Sequence, residues 1–156
     1  MAKEHTTDLL KFLTPFPEDK IQLVLQLRDF VWDRYPQTNE LIYDNYNALA
    51  FGWSPTDRVS HLFCNIAIGR TSMNIQFGFY WGSQIADPEN RLIGEGKQYR
   101  YFPSKTWQDF PKDYMEKLLA AAYANSLAKV KDPGQLMQGA TIVKSISEKK
   151  REKKKK

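Results

Sequence analysis

The stretch VSHLFCNIAIGRTSMNIQFGFYW, residues 59–81, decides the fold of this 156-residue chain. Leu62, Cys64, Ile66 and Ile68 alternate with His61, Phe63, Asn65 and Ala67. Beyond Gly69 and Arg70, the residues Met73, Ile75, Phe77, Phe79 and Trp81 alternate with Asn74, Gln76, Gly78 and Tyr80. A period of two belongs to strands, so the stretch predicts a hairpin turning at Gly69 and Arg70. A lone hairpin is marginal in water, and the flanking sequence must supply further strands and a helix to cover its apolar face.

On the N-terminal side, Pro17 followed by Glu18 and Asp19 suits a first helical turn, where a missing amide costs nothing and acids meet the helix dipole. Val24, Leu27, Val31 and Tyr35, flanked by Leu23 and Phe30, make an apolar stripe, with Asp19, Gln22, Gln26, Asp29 and Asp33 opposite. The helix is expected to stop before Pro36. Two short strands follow, 41–43 and 48–53, with a turn at 44–47. After the hairpin, 82–96 reads as a polar loop and 98–102 as a last strand. Trp107 and Phe110 are expected to dock on the body, because burial is where large apolar side chains gain most. A second helix is expected from Pro111 to about Leu127, with Tyr114, Leu118, Ala121 and Ala122 at core spacing. Asp132-Pro133 predicts a short third helix through Met137. Short turns between strand neighbours favour antiparallel pairing. The fold class expected is α+β: an N-terminal helix, an antiparallel sheet of about five strands, and a C-terminal helix on the same face.

The expected organisation is an N-terminal arm (1–13), one α+β domain (14–128), a short helical extension (129–147) and a disordered basic tail (148–156). That tail, EKKREKKKK, has seven basic and two acidic residues and carries the whole formal charge of +5. It cannot bury enough apolar surface to offset its ordering entropy. The rest of the chain is neutral, which argues against a nucleic-acid-binding fold; contact with nucleic acid is expected only as non-specific attraction to the tail. No apolar run reaches the roughly 18 residues of a membrane span, and MAKEHTTDLL lacks the apolar core of an export signal. Cys64 is the only cysteine, so no internal disulfide can form. These features predict a cytoplasmic protein.

Catalytic patterns are weak. His61 and Cys64, three apart on a strand, point to opposite faces and cannot share a metal, and Cys64 reads as a buried apolar residue. Gly94, Gly96 and Lys97 fall short of both a dinucleotide fingerprint and a P-loop, and read as a turn into a strand. Arg100 reads as a charge on the outer face of an edge strand. Tyr43, Tyr46, Trp53, Tyr80 and Tyr101 could line an aromatic groove on the open face of the sheet, a ligand pocket or dimer surface, with Arg100 engaging an anion there. The expectation is a non-enzymatic binding module.

The opening helix, the segment ELIYDNYNALAFGW (40–53), the hairpin, and above all GEGKQYRYFPSKTWQDFPKDYMEKLLAAA (94–122) resemble the YdhG-like family of small, mostly uncharacterised bacterial domains. The resemblance runs from about Thr14 to Ala124. It implies an antiparallel sheet packed by helices, related in shape to frataxin, and the family includes a member described as an intracellular iron chaperone. It therefore implies Fe(II) as a ligand, held weakly for delivery to a partner. Loosely held ferrous iron wants carboxylate and water ligands, and Asp29, Asp33 and Asp19 on the first helix are the expected set. No other cofactor is indicated. The partner expected is a protein, a small ligand or a second copy of the chain.

Overall fold

The computed structural model describes residues 7–95 and 98–152 and centres on the hairpin of 59–81. Its strands are β3 (Cys64–Gly69) and β4 (Ile75–Tyr80), antiparallel with Cys64 opposite Phe79, Ile66 opposite Phe77 and Ile68 opposite Ile75. The alternation ends sooner than expected at three points. Val59–His61 forms a 3-10 turn, held where Thr56 Oγ1 meets His61 Nδ1 at 2.7 Å and where the Ser126 hydroxyl donates to the His61 carbonyl. Met73 and Trp81 adopt left-handed backbone conformations, with φ of 58° and 56°, and so bracket β4.

Before the hairpin lie α1 (Thr7–Leu13), α2 (Glu18–Arg34), β1 (Asn39–Asp44) and β2 (Ala48–Ser54); after it come β5 (Tyr99–Ser104), α3 (Lys112–Lys129) and β6 (Thr141–Ile146). The sheet order is β5-β4-β3-β2-β1-β6. The first five strands form an antiparallel meander, whereas β6 runs parallel to β1. The α+β class stands, but the sheet is mixed and has six strands rather than about five antiparallel ones.

The sixth strand lies in the segment expected to be a helical extension. Beyond Lys129, where α3 ends, only Pro133–Gln135 is helical there, a single 3-10 turn capped by Asp132 Oδ1 on the Gly134 amide. The chain returns to β1 through the buried Asn39, whose Nδ2 donates to the Met137 carbonyl at 2.9 Å and whose Oδ1 accepts the Ala140 amide at 3.1 Å. Ile142 and Val143 then sit beside Leu41 and Ile42. Within the expected arm at 1–13, residues 7–13 form α1, with Leu9 and Leu13 in the core, and residues 1–6 lie outside the described residues. Residues 153–156 of the expected tail lie outside the described residues.

Direct pairing across strands assigns the faces. Trp53, Cys64 and Phe79 share one face with Ile42, Phe51, Ile66 and Phe77. These side chains cluster with Leu9 and Leu13 of α1, Val24, Leu27 and Val31 of α2, and Met115, Leu118 and Ala122 of α3, so all three helices cover the same face. Trp107 and Phe110 stack at 5.7 Å and pack into this layer against Phe30, as their docking required.

Helix α2 is buried on two sides, because Leu25, Arg28 and Trp32 are covered as well as the expected stripe. Arg28 and Glu40 are both fully buried. Nε and Nη2 of Arg28 donate to Glu40 Oε2 and Oε1 at 2.7 and 2.9 Å, and Thr141 Oγ1 donates to Oε1 at 3.1 Å. One carboxylate thus joins α2, β1 and β6. Arg28 Nη1 has no hydrogen-bond partner among the described residues. Breaking one side of a buried pair leaves an uncompensated charge, whereas replacing both sides by apolar groups is far cheaper. Glu40→Gln is therefore expected to lower unfolding free energy in urea by about 3–5 kcal/mol. Arg28→Met combined with Glu40→Leu should cost much less; equal losses would show that the charges contribute nothing beyond their volume.

Candidate ligand-binding surface

The face of the sheet away from the helices has small residues at its centre. On β2 the period of two sends Leu49, Phe51 and Trp53 into the helical layer and leaves Ala48, Ala50 and Gly52 on the other side; Ala67 of β3 and Gly78 of β4 continue that surface. Tyrosines flank it. Tyr43 stands on β1, and Tyr80, Tyr99 and Tyr101 on β4 and β5.

The expected aromatic groove is only partly assembled. Trp53 is not in it: the side chain is fully buried under the helices, edge-on to Trp32 at 6.1 Å and to Phe51 at 5.9 Å. The reason is the pleat, since Trp53 has the parity of Leu49 and Phe51. Tyr99, absent from the expected set, lies across Gly78, where an added Cβ would come 2.1 Å from the phenol oxygen, and donates to Asn65 Oδ1 at 2.9 Å. Burial pushes the Tyr80 phenol up to about 12 and raises that of Tyr99 further. Burial also raises Tyr43, whose hydroxyl has no partner among the described residues. Tyr46 is exposed in the β1–β2 turn, and its carbonyl accepts the Arg151 amide. Tyr101, half-buried and stacked on Tyr99 at 6.0 Å, borders one open space, and Tyr80 borders another with Val59, Leu62 and Trp81.

The space at Tyr101 is a cleft of about 370 Å3 at the β4–β5 edge, lined by Lys20, Asn74, Gln76, Ile93, Tyr101, Pro103 and Lys105, with Ile75 and Ser104 behind. The loop after β4 forms its wall: Ile93 exchanges both backbone hydrogen bonds with Tyr101, at 2.8 and 3.0 Å. Pro103 offers no amide to a further strand, as suits an edge. No carboxylate lines the cleft, and Lys20 and Lys105 form no ion pair among the described residues. These lysines were missed by sequence reasoning because they are separated by 85 positions and belong to no spacing pattern. Only the sheet register joins them.

Arg100 is on an edge strand, as expected, but opposite Phe79 and hence on the helical side. Its stem lies against Gly82, where a Cβ would meet Arg100 Cγ at 2.3 Å, and Nη1 donates to the Tyr99 carbonyl. Gly94 has a φ of 133° and faces the Tyr99 carbonyl, a position that glycine alone fills easily. Gly96 and Lys97 lie outside the described residues.

Asp29 and Asp33 do come together, in a shallow groove of about 220 Å3 with Gln26, Phe30 and Trp107. Two cations share that groove: Arg34 lies 3.9 Å over the Phe30 ring and Lys112 4.3 Å from the Trp107 ring centre. Asp19 is exposed near the start of α2; ten residues of helix, about 15 Å at 1.5 Å per residue, separate it from Asp29. Among the described residues, no three His, Cys, Asp or Glu side chains gather where one ion could reach them all. Cys64 is fully buried, and burial pushes its thiol well up, away from nucleophile chemistry. His61 is buried.

Comparison with protein-family models, curated proteins and solved structures finds no match to the chain. No helix among the described residues is long and apolar enough to cross a membrane.

Burial, then the charge of Arg58, holds His61 below its ordinary imidazole range. The unfolded imidazole takes a proton near pH 6.5, whereas the folded one does so only lower. Stability from this group is therefore full above about pH 6.5 and is lost as pH falls through the folded value. The thermal midpoint should fall less between pH 7.5 and 5.5 in His61→Asn than in the parent chain; identical slopes would assign the loss to other groups.

Proposed function

We propose that the chain is a non-enzymatic binding module, a cytoplasmic YdhG-like domain related in shape to frataxin, that takes a small ligand at the β4–β5 edge. The observation that supports this reading is the cleft at Tyr101. It combines an aromatic ring, two uncommitted lysines and the amide side chains of Asn74 and Gln76, with no carboxylate in the lining. Ligand sites of this kind are concave, largely apolar and furnished with a few polar groups. A volume of about 370 Å3 lies at the small-molecule end of the usual range of about 300–1,000 Å3. The tyrosines Tyr80 and Tyr99 serve here as the rigid backing of Tyr101 rather than as contacts. Amide NMR of the full chain with phenol, indole and benzoate at millimolar concentration should move the signals of Asn74, Gln76, Ile93 and Tyr101 together. Shifts confined to other surfaces would remove the cleft from the function.

The specific support for a second reading, weak Fe(II) binding for delivery to a partner, is the common groove of Asp29 and Asp33. Under that reading, an anaerobic ferrous titration broadens amide signals around both residues, and Asp29→Asn with Asp33→Asn abolishes the broadening at an unchanged thermal midpoint. Signals that stay sharp to millimolar iron would end it.

A further inference from the structure

The lining of the cleft narrows the chemistry of its ligand. Lys20 enters from the first turns of α2 and Lys105 from the residue after β5, so two ammonium groups from distant parts of the chain face one concavity. The carboxylates nearest them in sequence, Glu18, Asp19 and Asp109, are exposed and outside the lining; Glu18 accepts a hydrogen bond from Gln22. An ammonium is a compact point charge on a flexible stem, suited to a phosphate held from two sides. Between the lysines the lining mixes the apolar side chains of Ile93, Tyr101 and Pro103 with the amides of Asn74 and Gln76. Tyr101 is backed by Tyr99 at an interplanar angle of 26°, Ile93 is 49% exposed, and Pro103 is exposed beside it. Large apolar side chains left open in this way gain from covering by a planar ring. The side-chain amides of Asn74 and Gln76 make no hydrogen bond among the described residues. Each offers a donor beside an acceptor, the pattern that matches the edge of a nucleobase.

We infer that the cleft at the β4–β5 edge binds a phosphorylated nucleoside, with Lys20 and Lys105 on the phosphate, Tyr101 and Ile93 on the ring, and Asn74 or Gln76 on the base edge. This rests on the cleft being the functional site, and names the ligand class for it. Neutrality of the chain outside its basic tail is no obstacle, because a mononucleotide needs only local charge. The arrangement makes phosphate and ring recognition separable.

Titrations of the full chain with adenosine monophosphate, adenosine and inorganic phosphate, followed by amide NMR, test the inference. The monophosphate should bind about tenfold tighter than either fragment and shift Gln76, Ile93 and Tyr101. Lys20→Gln and Lys105→Gln should each weaken it by about fivefold, the limit of a solvent-exposed ion pair, and leave adenosine binding unchanged. Tyr101→Leu, checked for an unchanged thermal midpoint, should weaken the monophosphate and adenosine but not phosphate. Gln76→Ala supplies the ring-side variant if Tyr101→Leu loses stability. Phosphate binding as tightly as the monophosphate would reduce the cleft to a general anion site and overturn the inference, as would no shift up to about 10 mM monophosphate. If phenol and indole still shift the cleft in that last case, the binding surface stands and only the ligand class falls; if nothing shifts it, both fall.

Discussion

The buried pair of Arg28 and Glu40 is the constraint on which the arrangement of elements depends. Glu40 lies on β1 with its side chain in the helical layer, opposite Trp53, and its two oxygens receive α2 through Arg28 and β6 through Thr141. A fully buried carboxylate without a cation would be driven to the neutral acid or to an unfolded chain. The helix must therefore cross β1 in the register that brings Arg28 to it. A second buried contact repeats the device at the far end of β1, where Asp44 pairs with Arg70 of the hairpin turn and with Lys150 after β6. Between these two pairs the parallel strand β6 is tied to β1 along its whole length.

Those ties divide the sheet into unlike edges. On one side β6 borders β1, whose ion pairs and Asn39 hold the two ends of the pairing; on the other, β5 is bridged by Ile93 and carries Pro103 near its end. The faces differ as sharply. Large side chains at odd positions of β2 fill the helical layer, while Ala48, Ala50 and Gly52 leave the opposite surface thin enough for Leu62 and Tyr99 to lie across it. At the β4–β5 edge, tyrosine, lysine and amide side chains line one cleft with no carboxylate in its lining.

Much of this was legible in the sequence. Residues 59–81 carried the hairpin because two faces of different hydrophobicity require a period of two, and α2 was bounded by Pro17 and Pro36 for steric reasons. The β6 strand was not legible: TIVKSI has three apolar residues beside a charge run, and its stability comes from β1 and Glu40 rather than from its own pattern. Trp53 was misplaced for a different reason. Its face could have been read from Leu49 and Phe51 by the same alternation that located the hairpin, but it was grouped with the tyrosines by residue type. The cleft left no sequence signal, because Lys20 and Lys105 meet only once α2 lies on the sheet in the register that Arg28 imposes. The acids of α2 that a YdhG-like resemblance implies as ligands share their groove with Arg34 and Lys112, which no spacing pattern links to them.

Buried pairing should lock β1 and β6 into the cooperative unit and leave β5 the more readily opened edge. Native-state amide hydrogen exchange reads this directly, since local and global openings differ in free energy. The amides of Ile42 and Ile142, which the parallel register points at the facing strand, should exchange only through global unfolding, with the same free energy as the denaturant midpoint gives, while those of Arg100 and Phe102 exchange through smaller openings. Exchange of Ile142 as readily as the residues after β6, with β5 protected to the global limit, would contradict that order.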